Sequence, residues 1–171
     1  MKRFLFLIIA LLCYSAPLLA DGGDTSPNNN RLFHIERSLN KNIVCYDVVI
    51  DGQGIVNDKN PISVYWINRE DQPGKVSPLN IIQRRMAYGY TVKGTTGNAV
   101  NVSMVALPDR ELSIVKSGDK YIGQLLISQQ PAALSKIFVK TRDNNSMKVE
   151  YIDIFGSCLT TGQLLTERIT P

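Results

Sequence analysis

The chain contains one histidine, His34, in 171 residues. That scarcity excludes zinc held by two or three histidines and the zincin arrangement. Any Ser-His-Asp or Cys-His machinery would have to be built on His34 alone. His34 and Glu36 share a strand face at i, i+2, but a deaminase needs a downstream Pro-Cys-x-x-Cys, which is absent. No Gly-rich loop ends in Lys-Ser/Thr, and no dinucleotide fingerprint occurs, so neither a cofactor nor a metal motif is legible. No run of Lys or Arg exceeds two, which leaves no nucleic-acid footprint. Cysteine is also scarce, with three in all.

Long apolar runs are missing too. The only pronounced one, Phe4–Leu12, falls short of the roughly 20 residues a membrane span takes. It follows Lys2 and Arg3 and leads to Ala20, the three-part layout of a secretory signal peptide. Residues 1–20 are therefore predicted to be removed, with Asp21 the first residue of a periplasmic or secreted chain that has no transmembrane segment. The cut takes Lys2 and Arg3 and lowers the formal charge from +4 to +2. It also takes Cys13, leaving Cys45 and Cys158. An even count in an oxidising compartment allows a disulfide, which would add about 4–5 kcal/mol in the chain-entropy account. The other reading is two separate buried thiols.

What is present is punctuation. Residues 21–30 (DGGDTSPNNN) are polar and predicted disordered; 31–171 form one domain. Within it, segments rich in Val, Ile, Tyr and Phe alternate with Gly, Pro, Asn and Asp clusters. Strands are predicted at 31–37, 43–50, 62–68, 87–93, 99–107, 111–116, 121–128, 136–141, 147–155 and 163–169. In 99–106, Val100, Val102 and Met104 oppose Asn101 and Ser103. In 147–155, Met147, Val149, Tyr151 and Phe155 oppose Lys148 and Glu150. Such alternation fits sheets with one solvated face. Sequential connections are too short for parallel crossovers, apart from 69–86. That stretch carries the one predicted helix, with Ser77 as N-cap, Pro78 in the first position and Leu79–Met86 following. Pro131–Leu134 reads as a further helical turn. The predicted fold is all-β: an antiparallel β-barrel or sandwich of about ten strands with one short helix. The loop Asp51–Asp58 lacks the oxygen ligands of a calcium loop and reads as a Gly-rich hairpin.

The aromatics Tyr65-Trp66 and Tyr88-Gly89-Tyr90 flank the 69–86 insertion. Tyr65 and Trp66 must face opposite ways, and Gly89 leaves room for a close approach. Arg69, Lys75, Arg84 and Arg85 surround them. The candidate ligand site is therefore Arg37, Trp66, Arg84, Arg85, Tyr88 and Tyr90, suited to an anionic or amphipathic ligand. The leading functional reading is a non-enzymatic module binding a small ligand or a protein partner. One alternative is a hydrolase acting through a thiol or through carboxylates, with Glu36, Asp47, Asp109 and Asp153 available. The other is an envelope-structural or assembly protein.

Several stretches resemble an uncharacterised family of exported bacterial proteins, domain of unknown function 4833. They are Phe33–Ser38 with Asn40-Lys41-Asn42; Asn60-Pro61-Ile62 with Tyr65-Trp66-Ile67; Ile82–Gly89; Ile137–Lys140; and Tyr151-Ile152 with Thr161-Gly162 and Glu167-Arg168. The resemblance implies an exported, single-domain, mostly β protein. It implies no activity, and no functional residue is carried over from it.

Overall fold

In a computed structural model that describes residues 30–171, the alternating segments become one mixed sheet of eleven strands, curled into a half-barrel. The predicted signal segment 1–20 and the stretch 21–29 lie outside the described residues. The strands are β1 (Arg31–Arg37), β2 (Asn40–Val48), β3 (Ile62–Ile67), β4 (Val76–Pro78), β5 (Tyr90–Thr96), β6 (Ala99–Met104), β7 (Leu107–Ser117), β8 (Lys120–Ile127), β9 (Gln130–Arg142), β10 (Asn145–Cys158) and β11 (Leu164–Ile169). Their order is β4-β3-β2-β1-β9-β8-β7-β6-β5, with β10 on β9 and β11 on β10. Among the described residues no helix is long and apolar enough to cross a membrane.

The sheet forks at β9. Ala132 and Ala133 pair with β8 on one edge and with Cys158 and Ser157 of β10 on the other. Four residues further on, β1 has replaced β8: His34–Arg37 pair in parallel with Lys136–Val139. β1 and β8 thus share one edge of β9, and a cleft opens between them. This parallel pair departs from the antiparallel expectation. That expectation considered only strands adjacent in sequence, whereas β1 and β9 are about a hundred residues apart and need no short crossover.

Glycine at 156 is dictated by the fork. A Cβ there would lie 2.5 Å from the Ala133 carbonyl oxygen and 2.6 Å from Ile127 Cδ1. The β8–β9 turn that brings Ile127 over Gly156 has Ser128 and Gln129 at φ 49° and 64°. Glu167 of β11 steadies it, accepting from the Ser128 backbone N–H at 2.5 Å and from the Arg110 guanidinium. Pro131–Leu134 is therefore the start of β9 and not a helical turn.

The concave face is filled. Phe33 stacks on Tyr46 at 4.3 Å between ring centroids. Around them Val100, Val102, Met104, Leu112, Ile114, Ile127, Ile137 and Ile154 form one buried cluster. The predicted alternation in 99–104 is the observed one. That in 147–155 is interrupted by a register shift between Val149 and Tyr151. After the shift Ile152 and Ile154 turn to the core, and Tyr151, Asp153 and Phe155 to the outer face.

The helix starts later than predicted. Ser77 and Pro78 belong to β4, paired with Trp66 and Tyr65. Asn80 is the N-cap: it accepts from the Gln83 N–H at 2.8 Å, and Gln83 Oε1 accepts from the Asn80 N–H at 3.0 Å. The helix α1 (Ile81–Gln83) continues as a π turn over Arg84–Tyr88. The approach to Gly89 comes from the chain itself, since a Cβ there would lie 2.2 Å from the Arg84 carbonyl oxygen.

Of the two readings of the cysteine pair, the structure has the separate buried thiols, with Cys45 and Cys158 both free and buried. Two strands, β1 and β9, separate β2 from β10. At about 4.8 Å per strand spacing that places them roughly 14 Å apart, beyond the ~7 Å between Cα atoms that a bridge tolerates.

Replacing Gly156 with Ala is expected to destabilise the fold by about 1–3 kcal/mol, because the clashing carbonyl cannot move without parting β9 from β10. A denaturant midpoint unchanged from the parent chain would refute this account of the fork.

Candidate functional site

The six side chains singled out from the sequence fall into three groups. Trp66, Tyr88 and Tyr90 form a packed, hydrogen-bonded layer between α1 and the sheet. Trp66 meets Tyr88 edge-to-face at 5.3 Å, and its indole N–H donates to Gln83 Oε1 at 3.3 Å. The Tyr90 hydroxyl bridges to β3, donating to the Ile62 carbonyl at 2.8 Å and accepting from the Ile62 N–H at 3.2 Å. The Tyr46 hydroxyl donates to the Tyr88 carbonyl at 2.8 Å. Burial pushes the Tyr46 phenol well above its usual range and raises that of Tyr90, so both stay neutral donors. These hydroxyls close the open side of the half-barrel.

Arg84 and Arg85 form the second group, exposed on the helix. Arg84 borders a shallow cleft with Asp47, Tyr65 and Val76. Next to it, Asp47 is buried on the outer face of β2, where it accepts from Arg31 Nε and the Tyr65 hydroxyl, each at 2.6 Å.

Arg37 stands alone in the third. It donates to the Tyr88 hydroxyl at 3.3 Å and borders a different cleft of about 690 Å³. That cleft is lined by Glu36, Arg37, Ser38, Asn40, Lys41, Arg69, Phe138, Lys140 and Tyr151. Four cations thus converge around one carboxylate. The parallel β1–β9 pairing brings them together: it sets the β1–β2 turn, and Asn40 and Lys41 at the start of β2, beside the C-terminal half of β9. The Ser38 N–H donates to the Val139 carbonyl at 3.1 Å. Ser38 Oγ accepts from the buried Thr141 N–H at 3.1 Å. On the far side Tyr151 is backed by Arg168, whose guanidinium carbon lies 3.7 Å from the ring centroid. Arg168 in turn binds Asp153 through two 2.7 Å hydrogen bonds, which hold the Asp153 carboxyl below its usual range.

The cleft's cations have acidic neighbours. Lys41 meets Glu70 at 2.9 Å, Lys140 meets Asp143 at 2.6 Å, and Arg69 meets Glu36 at 3.2 Å. Glu70 and Asp143 are exposed and sit outside the cleft. Exposed pairs of this kind are worth at most about 1 kcal/mol, so an anion in the cleft can displace them.

Around the corner, the fork between β1 and β8 forms a second cleft of about 450 Å³, with Arg31, His34, Lys120 and Lys136 among its walls. Lys136 lies 4.8 Å from the Phe155 ring centroid and 3.4 Å from Glu36, joining the two clefts along the outer face.

The acids proposed for hydrolysis are dispersed. Asp47 and Asp153 are committed to arginines, and Glu36 lies among His34, Arg69 and Lys136. Hydrogen bonds from the Thr161 hydroxyl and from the Thr161 and Thr160 backbone lower the Cys158 pKa, but Cys158 is buried at the end of β10. No group of three or more His, Cys, Asp or Glu among the described residues could hold a metal ion. The Asp51 carboxylate caps its own turn, accepting from the Gln53 and Ile55 N–H groups at 2.8 and 2.9 Å.

Removing the Ser38 hydroxyl (Ser38→Ala) would leave the Thr141 N–H buried and unpaired. The expected cost is about 1–3 kcal/mol of stability, with Ser38→Thr retaining most of it. Equal stability of Ser38→Ala and the parent in a denaturant titration would show that this bond does not hold the turn.

A family profile described as domain of unknown function (DUF4833) matches residues 33–168, and the chain belongs to that family. No curated protein and no solved structure matches it. Every residue lining the larger cleft except Arg69 lies in the stretches quoted above for this resemblance.

Proposed function

We propose that this chain is an exported, non-enzymatic binding module that holds a small anionic ligand in the cleft beside the β1–β2 turn. The observation that carries the reading is the convergence of Arg37, Lys41, Arg69 and Lys140 around the single carboxylate of Glu36. Arg37 and Arg69 offer planar forks suited to a phosphate or carboxylate. Lys41 and Lys140 add mobile point charges at the rim. Phe138 and Tyr151 give the wall an aromatic component against which a sugar ring or other flat apolar face can rest. Ser38 and Asn40 add polar groups for orientation.

The filled concave face argues against carriage inside the half-barrel, which needs a hollow interior. Engagement of Asp47 and Asp153 by arginines supports binding over hydrolysis, since a glycosidase needs two free carboxyls facing each other across a cleft. The signal-like segment 1–20 supports export, and with it a ligand met outside the cytoplasm.

Calorimetric titration with inorganic phosphate, a sugar phosphate and a uronic acid tests the reading. At least one is expected to bind. The double substitution K41A/K140A should weaken it tenfold or more, because a charge-assisted hydrogen bond contributes roughly 1.5–3 kcal/mol and about 1.4 kcal/mol is a factor of ten. Both lysines sit at the rim, so the thermal midpoint of the unliganded protein should hold. Equal affinity in parent and double variant would remove the cleft from consideration.

A further inference from the structure

The helix that follows β4 breaks the usual pattern of a surface helix. Its apolar side chains point outward: Ile81, Ile82 and Met86 are 69%, 71% and 68% exposed, and Val76 just before it is also exposed. Tyr88 alone among residues 81–88 is buried. Soluble surfaces carry scattered single apolar residues, but a cluster of large ones on a projecting element marks a contact surface. The capping box at Asn80 and the Tyr88 anchor make the projection part of the fold and not a frayed end.

Charge selects the partner. Arg84 and Arg85 are interleaved with the exposed apolar residues, and Lys75 precedes them. No Asp or Glu occurs between Asp71 and Asp109, so the helix and the β5–β6 hairpin after it carry cations only. Shape selects it further. Ile81, Ile82 and Met86 line neither of the two basic clefts nor the one beside Asp47. They are knobs without a groove. A folded or peptide partner would need matching holes, whereas the headgroup region of a bilayer deforms around a knob. Apolar residues with adjacent Arg are the composition that seats a short element at that depth, and each cation near an anionic leaflet adds to the attraction.

We infer that residues 75–86 dock this protein on an anionic membrane surface, with Ile81, Ile82 and Met86 entering the headgroup boundary and Arg84 and Arg85 contacting lipid phosphates. This contact is separate from the basic cleft, whose lining includes neither helix arginine.

Trp66, the only tryptophan, is a built-in reporter, since its indole N–H is bonded to Gln83 of the helix. The full chain is mixed with vesicles of phosphatidylcholine alone or with phosphatidylglycerol, both containing lipid brominated near the headgroup. Phosphatidylglycerol vesicles should bind the chain and quench Trp66; phosphatidylcholine vesicles should do so far less. I81D/I82D should abolish the quenching, and R84A/R85A should weaken vesicle affinity roughly tenfold. All four positions are exposed, so thermal midpoints should match the parent and exclude unfolding as the cause. Three results overturn the inference: vesicle binding without Trp66 quenching, which would assign attachment to another segment such as 1–20; quenching that survives I81D/I82D; or no preference for the anionic vesicles.

Discussion

The parallel pairing of β1 with β9 is the contact on which the rest of the molecule depends. It joins the N-terminal hairpin to a strand about a hundred residues later, so its closure cost falls on a long loop. In return it makes one sheet out of two pieces, the β4-β3-β2-β1 side and the β8-β7-β6-β5 meander. β9 hydrogen-bonds both along a single edge, and β10 backs it along the other. The fork that results demands glycine at 156, bends the sheet into a half-barrel, and leaves clefts on the outer face. Ser38, bonded at once to Val139 and Thr141, fastens the end of β1 where the pairing stops.

A half-barrel has an open side, and here side chains close it. Tyr90 reaches β3 through both backbone groups of Ile62, and Tyr46 holds the Tyr88 carbonyl. Tyr88 and Tyr90 are thereby spent on closure. The proposed recognition surfaces are therefore the outside of the sheet and the helix. The two carry charge of the same sign at different places: concave and rimmed by lysines near β1–β2, convex and mixed with isoleucines on α1.

Ten strands were legible because short apolar segments between Gly, Pro, Asn and Asp turns have few other ways to bury one face. β4 was missed because three residues carry no periodicity, and Ser77-Pro78 imitates a helix start. The true start was written as Asn80-x-x-Gln83, a capping-box pattern. The first residues of β9 were misread because Pro131 suggests a helical turn, and the turn before it uses Ser128 and Gln129 where glycine or asparagine is usual. Of the cleft, Arg37 was legible as a cation near aromatics. Arg69 was legible in the same way, but Lys41, Phe138, Lys140 and Tyr151 were not. Together the cleft residues come from β1–β2, the loop after β3, β9 and β10, and only non-local pairing unites them. Tyr151 faces the cleft because of the register shift after Val149, and strict alternation assigns it to the wrong face.

The proposed function places a ligand in the outer cleft and not in the aromatic layer or the barrel interior. Backbone amide chemical-shift mapping by NMR during titration with a sugar phosphate distinguishes these locations. Binding in the outer cleft should concentrate shifts at residues 36–41, Arg69, 138–140 and Tyr151, with Val102, Leu112 and Ile114 of the core unmoved. Shifts centred on Trp66, Tyr88 and Tyr90, or spread through the core strands, would contradict it.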